Sequence, residues 1–310
     1  VSGPSAASGT GPATETALPG EATGAASEPG GRGGRGLPGR QHLRGRTGLV
    51  IGLLVLGVPV LTTLVGVFVH PYPTTASVSG PLAGPSGAHP LGTDLLGRDV
   101  LSRMLVGGRS LLLITVLAVA SAQLIAVSTG LLAGWLGRGG ARAVLAVFDV
   151  ILAVPAVLVL AAAASALGVG GLAAFAAIVV VLTPPTARVI YAATRALVTE
   201  PYVEAAVLCG TPTRQILVRD LLPNLRTIIF ADAGTRMVEA IIIISAAGFL
   251  GFGPQPPTPD WGQMINENGG GITVAPWCVL APALAITLLA VGTNLISDWL
   301  VAHSDGTNRE

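Results

Sequence analysis

Six stretches of this chain are long and apolar enough to cross a lipid bilayer, and they limit its fold more than any other feature. They run from about 48 to 69, 108 to 135, 142 to 167, 171 to 193, 227 to 252 and 276 to 301. Each meets the roughly 20 residues that a bilayer core demands of a spanning helix. The rest of the chain does not offset them: 51% of residues are hydrophobic, only 11% are charged, and the mean hydropathy is +0.72. A soluble domain carries about a quarter charged residues, so that class is excluded. The expectation is an all-α integral membrane protein with six transmembrane helices.

Orientation follows from the arginines, since the chain has 17 basic residues and none is lysine. Thirteen lie before the first span (Arg32, Arg35, Arg40, Arg44, Arg46), after the second (Arg138, Arg142), between Arg188 and Arg226, and at Arg309. These share one side if both termini are cytoplasmic, as positive charge retained on the inner side requires. Arg98, Arg103 and Arg109 fall on the opposite side, interleaved with Asp94 and Asp99, and Arg236 falls within a span. Residues 1–46, rich in Gly, Ala, Ser, Pro and Thr, bury too little apolar surface to order themselves and are expected to form a disordered cytoplasmic tail. The run from Gly48 is followed by no small-residue cleavage site, so it is read as an uncleaved span. Residues 47–302 form the membrane domain and 303–310 a short cytoplasmic tail.

Between the fourth and fifth spans lies a polar insert, EAAVLCGTPTRQILVRDLLPN from Glu204 to Asn224. Tyr202 to Leu208 should form a short helix, Gly210 permits a positive φ at its end, and Thr211 is placed to cap a second helix starting at Pro212. In that helix Leu217, Val218, Leu221, Leu222 and Leu225 share one face and Arg214, Gln215 and Arg219 the other, until Pro223 breaks the pattern. Two short helices about a glycine make a compact knob with one face free.

The segment HPLGTDLLGRDVLSRM, from 89 to 104, has Leu95, Leu96, Val100, Leu101 and Leu105 at helical spacing behind Thr93 or Asp94, which reads as an amphipathic helix on the outer face. It either anchors the next span or contacts a partner. Gly130 and Gly134 form a small-xxx-small pair suited to close helix packing within the subunit. Pro184 and Pro185 should kink or end the fourth helix. In the fifth span Asp232, Arg236 and Glu239 fall at i, i+4 and i+7 on one face. Charges at membrane depth face a bundle interior or a water-filled path, and these are read as lining such a path. The alternative is a helix end that projects from the bilayer with a solvated salt-bridge face. The loop from 253 to 275, with Gln255, Trp261, Gln263, Asn266, Glu267 and Asn268, is rich in Pro and Gly and reads as rigid turns able to offer hydrogen bonds.

Catalysis by the chain itself is not expected. His42, His70, His89 and His303 lie in tails or loops, no HExxH helix is present, and no GxxxxGK[ST] phosphate loop occurs. Cys209 and Cys278 are too far apart in sequence and context to suggest a disulfide framework or a metal site. No metal, no cofactor and no nucleic-acid contact is assigned to this chain.

The order Glu204, Ala205, Ala206, then Gly210, then Leu222 and Pro223 resembles the EAA loop of the permease subunits of ATP-binding-cassette importers. The segments at 89–104 and FLGFGPQPPTPDWG at 249–262 are similar to two further signatures of the dipeptide, oligopeptide and nickel branch of that family. The resemblance covers about residues 45–302. It implies a type I importer permease fold in the bacterial plasma membrane, and looks like the C-type subunit, with an extra N-terminal span. It further implies a homologous permease as heterodimer partner, two cytosolic ATPases (or one fused ATPase) that hold ATP and Mg, and an extracellular substrate-binding lipoprotein, all within membrane lipid. Glu204, Ala205, Ala206, Gly210, Thr211, Arg214, Leu222 and Pro223 would then couple to the ATPase, and Asp94, Arg98, Asp99, Gln255 and Trp261 would belong to the receptor-docking face. Two positions depart from the branch pattern: Asp220 stands where His is usual, and no acidic residue lies near Ile244. Di- or oligopeptides are the implied substrate, with nickel complexes as the alternative; an ion-coupled secondary transporter is the reading from another class, though no inverted symmetry is evident.

Overall fold

The computed structural model describes residues 38–304. What was expected of the tails before residue 38 and after residue 304 lies outside the described residues. Every named element among the described residues is helical: α1 (Pro38–Phe68), α2 (Val100–Leu152), α3 (Ala156–Leu167), α4 (Gly171–Val198), α5 (Pro201–Leu208), α6 (Thr213–Gln215), α7 (Leu222–Phe249), α8 (Trp261–Asn268) and α9 (Trp277–Ser304), with a π-helical turn from Ile216 to Leu221 and a 3₁₀ turn at Gly269–Gly271. The first helix therefore begins at Pro38, inside the stretch expected to be unstructured.

Four of these helices are long and apolar enough to span: Thr47–Phe68, Val100–Gly137, Gly171–Val198 and Trp277–Ala302. The expected third span, 142–167, is not one straight helix. Gly137, with φ 71° and ψ −167°, breaks α2, and the pieces Gly139–Leu152 and Ala156–Leu167 meet at 91°. Pro155, which lacks an N–H and restrains Val154 to extended backbone, accounts for the second break. Counting the bent pair as one span gives five. The expected fifth span is a continuous helix of 28 residues in α7, but Asp232, Arg236 and Glu239 make it less apolar than the other four.

The prolines of the fourth span do not end it: α4 continues through Pro184 and Pro185 to Val198. Pro184 is buried and Pro185 half-buried in the bundle, so packing holds the helix through the two positions that lack an amide donor. The glycine pair acts as expected. A Cβ at Gly130 would collide with Ala187 and Ile190, and one at Gly134 with Thr194, so α2 and α4 approach at backbone distance within the chain.

The main core joins α2, α4, α7, α8 and α9 through Leu111, Ile178, Leu182, Ile241, Ile244, Trp261, Met264 and Leu289. A second cluster, Leu131, Ile190, Val203, Ile216, Leu217, Leu221 and Leu225, ties α5 and the π-helical turn to α2 and α4. Because α7 runs from this second cluster to the loop at residue 250, the two features sit at its opposite ends, about 42 Å apart at helical rise.

Candidate functional site

The knob forms as two helical pieces about Gly210, whose φ is +74°. Helix α5 starts with Pro201 at its first turn, where a missing N–H costs nothing. Its last turn is closed by Cys209 N donating to Ala205 O at 2.9 Å and Thr211 N to Ala206 O at 3.0 Å. No atom lies within 4 Å of a Cβ placed on Gly210, so backbone conformation alone demands glycine there.

The second piece differs from expectation. Thr211 does not cap it; Pro212 holds the N-cap position without a side-chain hydrogen bond. Nor does Pro223 end it. The helix passes from α6 through the π-helical turn directly into α7, with Leu222 N bonded to Leu217 O. A π turn widens the helix by one residue, so the ring of Pro223 enters where an α-helix would present a carbonyl clash. The knob is thus a rigid extension of α7. On its packed side Ile216, Leu217 and Leu221 are buried, whereas Val218, placed on that face by spacing, is exposed; the π turn shifts the angular register.

Glu204, Ala205, Gly210 and Arg214 are exposed, Ala206 and Thr211 are half-buried, Leu222 is half-buried and Pro223 exposed. Beside them stand Val207 and Leu208, the latter 81% exposed. The tip therefore exposes two apolar side chains together with the charges of Glu204 and Arg214, a small mixed surface suited to a protein groove.

The charges of α7 come together as expected by spacing. Arg236 Nη1 donates to Glu239 Oε2 at 2.6 Å, and Arg236 Nε and Nη2 donate to Asp232 Oδ1 at 3.3 and 3.2 Å. Sequence reasoning missed two further members. Gln123 Nε2 of α2 and Thr186 Oγ1 of α4 donate to Asp232 Oδ2 at 3.0 and 2.8 Å. Asp232 is buried, Arg236 is largely enclosed, and Glu239 is the most open of the three. A lone Gln in α2 and one of three Thr in α4 were the only sequence signals.

At the other end of α7 the loops 70–99 and 250–276 are welded by charge. The expected helix from 89 does not form: residues 89–99 are a folded loop held by a Thr93/Asp99 bridge, and α2 begins only at Val100, capped by Asp99 through Ser102 N. Gly92 and Gly97 take φ of +74° and +72°, which breaks the helical spacing. Asp94, fully buried, accepts from Arg98 Nε at 2.7 Å, Arg103 Nη1 at 2.5 Å and the amides of Leu96 and Arg98. Glu267 then bridges Arg98 and Arg103 at 2.8 and 2.9 Å, and Asn268 Oδ1 accepts from Leu95 N. Asp99 accepts from Ser102 and pairs with His89 Nδ1 at 2.9 Å.

Helix α8 is wedged beneath these loops. Trp261 is wholly buried against Gly107 and Gly108 of α2, and its Nε1 donates to Met104 O at 2.9 Å. Asp260 caps α8 through the amides of Gly262 and Gln263 and accepts from Ser110 Oγ at 3.1 Å; burial pushes its carboxyl above the usual range, against those hydrogen bonds. Asp94, Asp99 and Trp261 consequently have no surface to offer a docked protein. They hold the face together, while Gln255, exposed and bonded to the carbonyls of Gly251 and Gly253, remains on it.

The molecule is similar to known transport proteins. A family model described as binding-protein-dependent transport system inner membrane component matches residues 126–309. The chain is 34% identical over 255 residues to the dipeptide transport system permease protein DppC of Alkalihalophilus pseudofirmus, covering 80% of this chain and 84% of that one. It is 34% identical over 266 residues to the di/tripeptide transport system permease protein DppC of Pseudomonas aeruginosa, covering 84% and 87%. It is 36% identical over 217 residues to the glutathione transport system permease protein GsiD of Pectobacterium atrosepticum, covering 70% and 72%. Among solved structures, the MetNI methionine ABC transporter in inward facing conformations matches with a TM-score of 0.53 at 20% identity, over 64% of this chain and 94% of that one, a likeness of fold.

Proposed function

The chain belongs to the family of binding-protein-dependent transport system inner membrane components, and on that premise we propose that it is the permease subunit of an ATP-driven peptide importer. The observation that carries the reading is the knob: an Ala-rich helix, a glycine at positive φ and a second helical piece continuous with a long helix of the bundle. Its side chains are exposed, so a partner can seat on it, and its continuity with α7 lets a displacement there reach the bundle as a rigid-body motion. Relatives named for dipeptide, di/tripeptide and glutathione transport favour short peptides as substrate over nickel complexes.

In this reading a homologous permease completes the path and cytosolic ATPases hold ATP and Mg and grip the knob. Closure of the ATPases swings the bundle, and an extracellular substrate-binding lipoprotein delivers peptide to the loop face. This chain is non-catalytic. It crosses the bacterial plasma membrane six times, α7 and the bent pair included, with both termini and the knob on the arginine-rich cytoplasmic side. Asp232, Arg236 and Glu239 belong to the path near its inner mouth, Asp232 as the buried member that holds Arg236. Replacing Arg236 by Ala should abolish uptake while the complex still co-purifies with its ATPases; wild-type uptake by that variant sinks the path assignment. Co-purification of the tagged chain with ATP-binding subunits supports the importer reading, and uptake by the purified chain alone, driven by an ion gradient, would overturn it.

A further inference from the structure

Asp232 holds three helices at once. Its Oδ2 accepts from Gln123 of α2 and Thr186 of α4, while its Oδ1 accepts from Arg236 one turn along α7. The carboxylate is buried, as are Gln123 and Thr186, the last of them completely. It lies ten positions beyond Leu222, about 15 Å along α7 from the knob.

Two different ties thus join the α7 lever to the same two helices. Near the knob, Leu217, Leu221 and Leu225 pack on Leu131 of α2 and Ile190 of α4. Such contact is non-directional and tolerates sliding. Farther along, the Asp232 bonds are directional, made at one register only, and lost outright if α7 shifts by more than a fraction of a turn. A carboxylate stripped of all partners at this depth would be costly. Arg236, however, is bonded to Asp232 within the same helix and travels with it, so the tertiary bonds can break without leaving the charge unpaired. Gln123 Oε1 is meanwhile buried without a hydrogen-bond partner, so the amide is held by its donor side alone. These are the properties of a releasable joint.

We infer that Gln123 and Thr186 are positioning residues of the transport cycle, which register α7 against α2 and α4 through Asp232 and so pass displacement of the knob to the bundle. The inference rests on the importer reading. It is tested in the complete importer, reconstituted in proteoliposomes with its receptor and ATPases, by measuring peptide moved per ATP hydrolysed for Thr186→Val, Gln123→Leu and Thr186→Ser. Thr186→Val keeps the side-chain shape and removes only the donor. The expected result is that Thr186→Val and Gln123→Leu assemble and hydrolyse ATP, yet move roughly tenfold less peptide per ATP, the scale of one lost hydrogen bond to a charged group, while Thr186→Ser matches wild type. The proposal is overturned if both variants transport within about twofold of wild type per ATP, or if both fail to assemble, which would make the cluster a folding element. A wild-type complex that hydrolyses ATP without moving peptide would remove the importer reading, and this joint with it.

Discussion

The two ends of α7 solve opposite problems. At the loop end, four charged side chains neutralise one another, Asp94 and Arg103 buried and Arg98 and Glu267 partly so, and segments distant in sequence become one body. At the knob end almost nothing polar is buried; a layer of leucine, isoleucine and valine fixes the base, and the working side chains stand in solvent. The first arrangement resists deformation, because any displacement strands a buried charge. The second can lean against a partner at little cost. The contrast suits a molecule that presents a rigid face at one end and accepts mechanical input at the other.

The largest effect should come from breaking the rigid end. Asp94→Ala leaves Arg98 and Arg103 buried with Glu267 as their remaining partner, and should cost about 3–5 kcal/mol, read as a fall in thermal stability of the purified protein. Little change would mean that the two loops are held by α8 packing alone. Next is Gly210→Val, which forces a β-branched residue to positive φ at a cost of about 1–2 kcal/mol or more. Here space is not limiting, so membrane yield should persist while uptake falls; Gly210→Asn, tolerant of this backbone, should retain more uptake than Val.

A smaller effect is expected at Asp260. Removing the cap and the Ser110 acceptor in Asp260→Ala should cost about 1 kcal/mol, whereas Asp260→Asn keeps an acceptor and sheds the buried charge, and should match wild type at low pH and exceed its stability near neutral pH. The sign follows from burial. The folded-state pKa lies above the ordinary 3.8, so this group's contribution is fully present below 3.8 and is lost as pH rises through the folded value. Melting curves across that range should flatten in the Asn variant. The smallest stability effect belongs to Glu204→Ala, within about 0.5 kcal/mol because the side chain is exposed. Its uptake should nevertheless drop, which separates surface function from folding at the knob.

Sequence alone made the knob legible because its determinants are local: a helix-starting proline, a glycine needing positive φ and a hydrophobic face. It misjudged what depends on tertiary context. Leu95, Leu96 and Val100 sit at helical spacing, yet Gly92 and Gly97 turn the backbone, Asp94 finds a partner 9 residues away in Arg103 and Leu95 one 173 residues away, so the loop wins over the helix. That 173-residue link, from Leu95 to Asn268, has no local signature. Pro223 looked like a terminator because a π turn, which admits it, leaves no mark in hydrophobic periodicity. Asp232 was visible as a charge in a span, but Gln123 and Thr186, which give it a role, are ordinary residues until α2 and α4 are brought beside it.

The central claim, that the knob is gripped by an ATPase, can be tested without altering the chain, because Cys209 is exposed on the knob while Cys278 is buried. A thiol-reactive photo-crosslinker attached to Cys209 in native membranes should capture an ATP-binding subunit, with the yield changing when ATP is added. Labelling that captures only lipid, or a protein from the opposite side of the membrane, would contradict the account.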